Sequence, residues 1–569
     1  MDAYISPRMN VTRLLPRSSD YRFEFLGADL VSGATVAVVA LPLALGFAVT
    51  TAVPPAVGVT TAIVAGIVAA VFGGSNFQVS GPTGAMTVVL IPIVTQRGPE
   101  ALPLVAIVAG LLLVAMAAAG VGRYVGFVPW PVVTGFTNGI AVIIFLQQLP
   151  LVLGVAGKPA ESTLVSATRT LRAFLESPAA PAIILAATTA AVMVLWVRVP
   201  RVRAIPASMV ALLAGTGLSL LDWFDGVTRV SGVPRGVPTP GLPLLSVGGV
   251  VDIARVALVI AILAALESLL SAVVADGQTI EERHDPDREL LGQGLANVAV
   301  GFFGGMPATG ALARTAVNVR SGAKTRLASV FHGVVLLAIV LFLAPLAAKI
   351  PLAVLGGILM VVSVRMVESH AARTILRSTR SDAFVLLLTM GVTIVFDLIL
   401  AVEVGMIAAG FLFVVRMSQM LSVDPEVLSG SAPSHHDTAA EMRQESALER
   451  EDILAFRIEG PVFFGAAAQF FDQVLKETPG IKVVILRMRR VPVMDATGLT
   501  ALEGLAEALE RRHILVLMSG LQPQPREILE RTGVLDKISR NREHLFGTSE
   551  EAIAHARVHL RREDHRAAG

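Results

Sequence analysis

The 569-residue chain has no cysteine. That excludes a disulfide framework and any thiolate metal site, and nothing points to an oxidising compartment or a structural zinc. Charge is the second scarcity. Only 16% of residues are charged while 54% are hydrophobic, and the mean hydropathy is +0.70. The charges are unevenly spread: long apolar runs dominate from about Leu30 to Met420, and beyond them the chain reads like a soluble protein. The apolar runs show no strand-like alternation, so each must satisfy its own backbone as a helix. The first 28 residues carry Arg8, Arg13, Arg17 and Arg22 with Asp20 and Glu24 but no apolar stretch ending at a small-residue site, and no cleaved signal peptide is expected. A phosphate-cradling GxxxxGK[ST] loop is missing, and no nucleophile–base pair or metal-ligand cluster stands out. The expectation is no enzyme, no cofactor and no resident metal.

What is present is enough apolar sequence for many spans. A helix needs roughly 20 apolar residues to cross the hydrocarbon core, and Leu104 to Val121, Ala182 to Val197, Val256 to Ala275 and Val330 to Leu346 all qualify. The net charge is only +2, but the sequence pI is about 9.1 and the basic residues cluster in short loops. This fits orientation in a membrane, not nucleic-acid binding. With the N-terminus in the cytoplasm and two sets of seven spans, the loops Arg198 to Arg203, Arg320 to Arg326 and Arg365 to Arg380 all fall inside, as the positive-inside rule requires. The outward connections, Leu153 to Pro178 and Leu221 to Val247, read as solvated loops rich in Gly and Pro. The segments are then a cytosolic N-terminus (1–28), a membrane domain (29–420), a polar linker (421–451), a small α/β domain (452–562) and a tail (563–569).

Two segments interrupt this pattern at corresponding places: VSGPTGAMTVV (Val79 to Val89) in the third span and GGMPATGALARTAVN (Gly304 to Asn318) in the tenth. Pro stops a helix on its N-terminal side, so half-helices should start near Thr83 and Ala311. The first N–H groups of a helix have no intrahelical partner and carry positive partial charge, and two such ends facing each other make an anion site without a fixed cation. Thr83 and Thr309 could add hydroxyl donors. The alternative is that Gly-Pro pairs only kink packed helices; the matched pair favours the site.

Ionisable residues inside spans are functional candidates by default. Glu267 follows about ten apolar residues, with Ser271 one turn later on the same face. It could take up a proton, bind a cation, or act as the counter-charge of Arg314. Arg314 itself either attracts an anion or snorkels to the inner surface. Asp276 reads as a boundary residue, Asp397 and Glu403 as solvated or structural groups flanking the last hairpin, and Asn138, Gln147 and Gln148 as helix-packing groups.

With these motifs, the chain resembles the SulP anion-transporter family (the solute carrier family 26 type) over nearly its whole length. The resemblance lies in ALPLALGFA (Ala40 to Ala48), SGPTGAMTVV, ESLLSAVVAD and GMPATGALARTAVNVRSGAKT, in order and spacing. It implies an α-helical membrane protein of fourteen spans as 7+7 inverted repeats, divided into core and gate domains, with elevator-type alternating access and a homodimer. The substrate would lie near Thr83, Gly84, Ala85, Gly310 and Ala311, beside Leu43 and Phe47 of the first span. The wording is nearest to BicA-type bicarbonate transporters, where sodium uses an Asp, a Thr and a second Thr at the places of Glu267, Ser271 and Leu312. Leu312 has no side-chain oxygen and Glu is one methylene longer, so the coupling ion is expected to be H+ ahead of Na+. Many family members have Gln in place of Leu43, which speaks against assuming sulfate.

The tail shows three apolar β-rich runs, ILAFRIEGPVFFG, IKVVILRM and ILVLMSGL, separated by amphipathic stretches at Ala466 to Lys476 and Gly498 to Arg511, which suggests a small α/β domain. It resembles the cytosolic STAS domain that ends SulP proteins. VMDATG (Val493 to Gly498) matches the loop where related anti-sigma antagonists are phosphorylated, mapping onto Thr497; the alternative is that Asp495 and Thr497 simply cap the next helix. The combined expectation is a cation-coupled symporter of a small inorganic anion, bicarbonate or sulfate, in the bacterial inner membrane with both termini cytoplasmic and a cytosolic partner for the STAS domain. An uncoupled channel or exchanger, and a membrane-anchored STAS sensor, stay open as alternatives.

Overall fold

The computed structural model describes residues 23–155, 163–198, 205–232, 236, 238–241, 250–279, 283–396, 398–418, 422–426, 452–463, 474–538 and 543–567. Their contacts divide the chain into two units that meet at Ile407 and Ala408.

In the first unit the chain runs through α1 (Leu26–Thr50), α2 (Pro55–Phe72), β1 (Ser80–Gly81), α3 (Gly84–Arg97), α4 (Leu102–Ala118), α5 (Trp130–Gln147), α6 (Leu149–Leu153), α7 (Thr163–Glu176), α8 (Ala180–Trp196) and α9 (Ala207–Leu218). It continues through α10 (Val250–Gly277), α11 (Pro286–Phe302), β2 (Thr309–Gly310), α12 (Leu312–Arg320), α13 (Leu327–Ala347), α14 (Leu352–Met366), α15 (Ser369–Arg377) and α16 (Arg380–Val395) to α17 (Leu398–Ser418), within which the division falls. Leaving aside α6 and the short amphipathic α7 and α15, fourteen helices remain among the described residues, seven before α10 and seven from it onward. α3 is third in the first set and α12 third in the second, each preceded by a two-residue strand. Helix starts follow local chemistry: Pro55, Pro103 and Pro181 occupy first-turn positions, where a missing N–H costs nothing.

The helices pack in two groups. α1–α4 associate with α10–α13, and α5, α8 and α9 associate with α14 and, through α5, with α16; these are the core and gate. In the core, α4 and α11 approach at Gly110 and Gly294, where a Cβ on either would come within 2.8 Å of the other's carbonyl oxygen. Only hydrogen fits there, which is how helices pack closely in lipid. Phe342, Phe384 and Phe396 stay more than half exposed, as lipid-facing side chains do in a spanning protein.

The connection read as a solvated loop from Leu153 contains α7, with Leu171 and Leu175 exposed one turn apart on one face. The flanking Gly and Pro had hidden its periodicity. Asp397, Ala466 to Gln473 and most of the loop Arg198 to Arg203 lie outside the described residues. Glu403 is exposed on α17.

The second unit holds a five-stranded sheet in the order β3 (Ser422–Glu426), β4 (Ile453–Glu459), β5 (Val483–Arg490), β6 (Leu515–Ser519), β7 (Leu545–Phe546). β3 is antiparallel to β4 and the other pairs are parallel. Alternation along β4 sends Leu454, Phe456 and Ile458 to one face and Ile453 and Ala455 to the other. The first face packs on α18 (Ala496–Arg511), α19 (Pro523–Arg531) and α20 (Val534–Ile538); the second is covered by Ala552, Ile553, Ala556 and Leu560 of α21 (Ser549–Ala567). The polar stretch from Ser422 therefore begins as an edge strand, whose Pro425 is tolerated at an edge.

Candidate functional site

Both breaks in the apolar pattern are extended backbone at membrane depth, where every N–H and C=O needs a protein partner. The strands supply part of that: β1 pairs antiparallel with β2, Ser80 opposite Gly310 and Gly81 opposite Thr309, and the Ala311 N–H donates to the Val79 carbonyl at 2.9 Å. Polar side chains from the surrounding helices supply the rest. On the β2 side, Met306 N–H donates to Thr61 Oγ1 at 2.9 Å, Ala308 N–H to Asn297 Oδ1 at 2.8 Å and Gly310 N–H to Ser268 Oγ at 2.9 Å. Ahead of β1, Gly74 and Ser75 N–H donate to Glu289, Val79 N–H donates to Thr315 Oγ1, and Asn318 donates to the Phe77 carbonyl. This polar scaffold was not recognised from the sequence. The available signal was single Thr, Asn, Gln and Ser residues recurring inside otherwise apolar runs.

The pairing joins the starts of two helices. α3 starts at Gly84 with Thr83 as N-cap, its hydroxyl accepting from Met86 N–H, and α12 starts at Leu312 with Ala311 as N-cap. The N–H groups of Gly84, Ala85, Leu312 and Ala313 have no hydrogen-bond partner among the described residues, so they carry the partial positive charge of free helix ends. Thr83 is buried and donates its hydroxyl to Glu267 Oε2 on α10 at 2.9 Å. That bond unites the N-cap of one half-helix with the intramembrane carboxylate.

Arg314 does not snorkel. It is 1% exposed and one Nη donates to the Pro82 carbonyl at 2.8 Å, so its cation stands at the bridge itself. No ion pair within 4.0 Å joins it to Glu267 among the described residues: Glu267 accepts from Thr83, and Arg314 donates to Pro82. Ser271, one turn after Glu267 on α10, donates to Thr315 Oγ1 at 3.1 Å; the serine beside β2 is Ser268, which also shares a hydrogen bond with Thr309 Oγ1 at 2.9 Å. Gln78 is a second unrecognised member: a Cβ on Gly310 would collide with its amide, and neither amide atom has a protein partner.

Phe47 of α1 and Ile144 of α5 lie over Gly84, where a Cβ would overlap Ile144 and touch the Phe47 ring at 3.4 Å. Leu43, one turn earlier than Phe47, is buried in the apolar core. A cavity of about 1230 Å³ opens between the two helix groups, lined by Val49, Val88, Pro92, Ile143, Gln147 and Thr393 among others. Its lining includes Val88 and Val89 of α3 but not Gly84 or Ala85.

Further candidates make hydrogen bonds elsewhere in the first unit. Asp276 ends α10 against His284, Oδ2 to Nδ1 at 2.7 Å. Asn138 accepts from the Glu368 N–H, and Gln148 meets Thr50 of α1 at 3.4 Å. In the second unit Asp495 caps α18, accepting from Gly498 N–H at 2.7 Å, while Thr497 is exposed in its first turn.

The profile of the sulfate permease family matches residues 26–389, and that of the STAS domain matches residues 446–552. YvdB of Bacillus subtilis (strain 168), provisionally named a sulfate transporter, is 34% identical over 551 residues, spanning 95% of this chain and 99% of its own length. The bicarbonate transporter BicA of a Picosynechococcus strain is 30% identical over 550 residues, 94% of this chain and 95% of its own. Among solved structures, the transmembrane domain of a cyanobacterial BicA superposes with a TM-score of 0.61 at 32% identity, covering 69% of this chain and 99% of that domain. The inward-facing murine anion transporter Slc26a9 shares the fold with a TM-score of 0.82 at 18% identity, covering 98% and 97%. These relatives are named as transporters, and with both sequence and fold aligned along nearly the whole length, the chain belongs to the sulfate permease (SulP) family of membrane anion transporters and carries its C-terminal STAS domain.

Proposed function

We propose that the chain is a secondary active symporter that moves a small inorganic anion, bicarbonate or sulfate, together with a proton. The observation that carries this reading is the β1–β2 pairing, which joins two helix N-termini beside the buried Arg314 and the Thr83–Glu267 hydrogen bond. The N–H groups of Gly84, Ala85, Leu312 and Ala313 and the Arg314 cation supply the attraction for an anion, with Gly310 and Ala311 as the opposite wall. The names of BicA and YvdB supply the two candidate anions.

The Thr83 hydroxyl gives the coupling a direction. Its one hydrogen is donated to Glu267 while the oxygen accepts from Met86 N–H. When Glu267 takes up a proton, its own O–H donates to Thr83 Oγ1 and the Thr83 hydrogen becomes free for an anion. Protonation also removes the negative charge that offsets Arg314, so proton and anion bind together. Sodium is favoured less: Ser271 already donates to Thr315, and Leu312 offers no oxygen. In an elevator cycle the core group would slide past the gate with the site on board, Phe47 and Ile144 parting over Gly84. The functional unit is a homodimer in the inner membrane with both termini cytoplasmic, and the STAS domain takes a cytosolic partner.

Counterflow and net uptake of labelled bicarbonate and sulfate in proteoliposomes test this under imposed pH and sodium gradients. The expected result is uptake of one of the two anions, concentrated by an inward proton gradient and insensitive to sodium. Flux indifferent to both gradients would instead be an uncoupled channel. No flux, with a STAS domain that binds a partner, would make the chain a sensor.

A further inference from the structure

Behind the β1–β2 bridge, on the side away from α10, a second group of polar atoms is buried. His332 of α13 is 0% exposed, and neither ring nitrogen has a hydrogen-bond partner in the protein. One Nη of Arg314 is likewise buried and unpartnered, while the other holds the Pro82 carbonyl. Both groups line one seam. A Cβ on Gly66 of α2 would lie 2.9 Å from His332 Nδ1 and 3.7 Å from the Ser80 carbonyl; a Cβ on Gly81 would lie 2.6 Å from Arg314 Nη1 and 3.3 Å from Ala62 Cα. Ala62 and Gly66 are consecutive turns on one face of α2, so the imidazole and the guanidinium point into the same cleft about one helical turn apart. Ser329, one turn before His332, donates to the Gln78 carbonyl at 2.7 Å and fixes α13 against the strand.

Three unpartnered nitrogens at this depth are costly, since a buried polar atom without a hydrogen bond costs about 1–3 kcal/mol. Polar clefts of this kind hold internal water, which makes about three hydrogen bonds to such groups. Gly66 and Ala62 are the small residues that α2 presents to these groups. An anion is too large for a seam in which one methyl group would collide with Arg314.

We propose that the seam between α2, α13 and β1 is a specific internal water site, and that His332 is a positioning residue which holds the free Nη of Arg314 through that water. A neutral imidazole has one donor and one acceptor nitrogen, so water that donates to the acceptor nitrogen can accept from Arg314. The guanidinium is then tied at both ends, one Nη to the Pro82 carbonyl and the other to His332, and cannot swing away from the helix N-termini. The positioning half of this inference rests on the anion role proposed for Arg314; the water half does not.

Two measurements on the full chain in lipid nanodiscs and proteoliposomes separate these halves. Radiolytic hydroxyl-radical footprinting reports water next to a side chain even when bulk solvent cannot reach it. His332 is expected to be oxidised in the wild-type protein and protected in Gly66→Ala, whose added methyl occupies the seam. An unmodified wild-type His332 shows a dry seam and overturns the proposal. In anion uptake, His332→Phe is expected to raise KM by roughly tenfold, the loss of about one hydrogen bond to a charged group, with the maximal rate changed much less. His332→Gln, which keeps a donor and an acceptor, is expected to return KM to within about twofold, well under the worth of one such hydrogen bond. Equal KM in the wild type and both variants overturns the positioning role. A loss of rate in both variants without a KM change also overturns it, as the mark of a purely structural histidine. If transport itself is absent, the oxidation of His332 still decides the water site.

Discussion

Thr83 is the residue on which the two chemistries meet, because one hydroxyl caps α3 and binds Glu267. Thr83→Val should lower gradient-driven uptake by roughly tenfold or more, as expected from removing one hydrogen bond to a charged group, while Thr83→Ser should keep most of it; liposome uptake rates check both. Equal rates in wild type and Thr83→Val would contradict the link. Gly84 is constrained by packing: a Cβ there overlaps Ile144, so Gly84→Val should block uptake and also destabilise the solubilised protein by about 1–3 kcal/mol of overpacking, read as a lower thermal midpoint. At this scale the sequence was informative for charges and breakers. Glu267, Thr83 and Arg314 stand out in an apolar run, and Pro with Gly marks where a helix cannot continue. Residues whose role depends on a distant partner were not legible. Ser268 and Gln78 differ from Ser271 and Gln148 only in what lies opposite them, and that is set by a pairing between strands more than 200 residues apart.

The half-helices are also held by contacts outside the β1–β2 bridge. Asp29 of α1 is buried and accepts from the Lys324 and Thr325 N–H groups and the Thr325 hydroxyl, fixing the turn between α12 and α13. Asp29→Ala strands those donors and should cost about 2–3 kcal/mol, lowering the thermal midpoint measured on the detergent-solubilised protein; an unchanged midpoint would show the turn to be held elsewhere. In the second unit Asp495→Ala removes a helix cap worth about 1 kcal/mol, and hydrogen exchange should quicken at Gly498 while the amides of β5 keep wild-type protection. Helix ends near Thr83, Ala311 and Gly498 were readable because proline, glycine and capping residues act locally. α7 and β3 were not, since a short amphipathic helix between Gly and Pro, and an edge strand containing Pro, carry weak local signals that neighbours must complete.

For the molecule as a whole, hydropathy and breaker position gave two sets of seven spans, and the fold has two sets of seven helices with α3 and α12 in corresponding places. The grouping into core and gate depends on tertiary packing and came to the sequence only through family resemblance. An elevator cycle requires the groups to slide, and α1 meets α14 where a Cβ on Gly46 would lie 2.6 Å from Leu359 Cδ1. Because the chain has no cysteine, Gly46→Cys with Leu359→Cys introduces one defined pair. Its oxidation should stop uptake and a reductant should restore it; full uptake by the crosslinked protein would exclude sliding at this contact. The central claim, that Glu267 ties a proton to an anion held at the paired helix ends, is tested most directly by uptake in proteoliposomes containing Glu267→Gln under an inward proton gradient. The account predicts that gradient-driven accumulation falls to the level of protein-free liposomes while exchange of labelled for unlabelled anion persists; accumulation at the wild-type rate would contradict it.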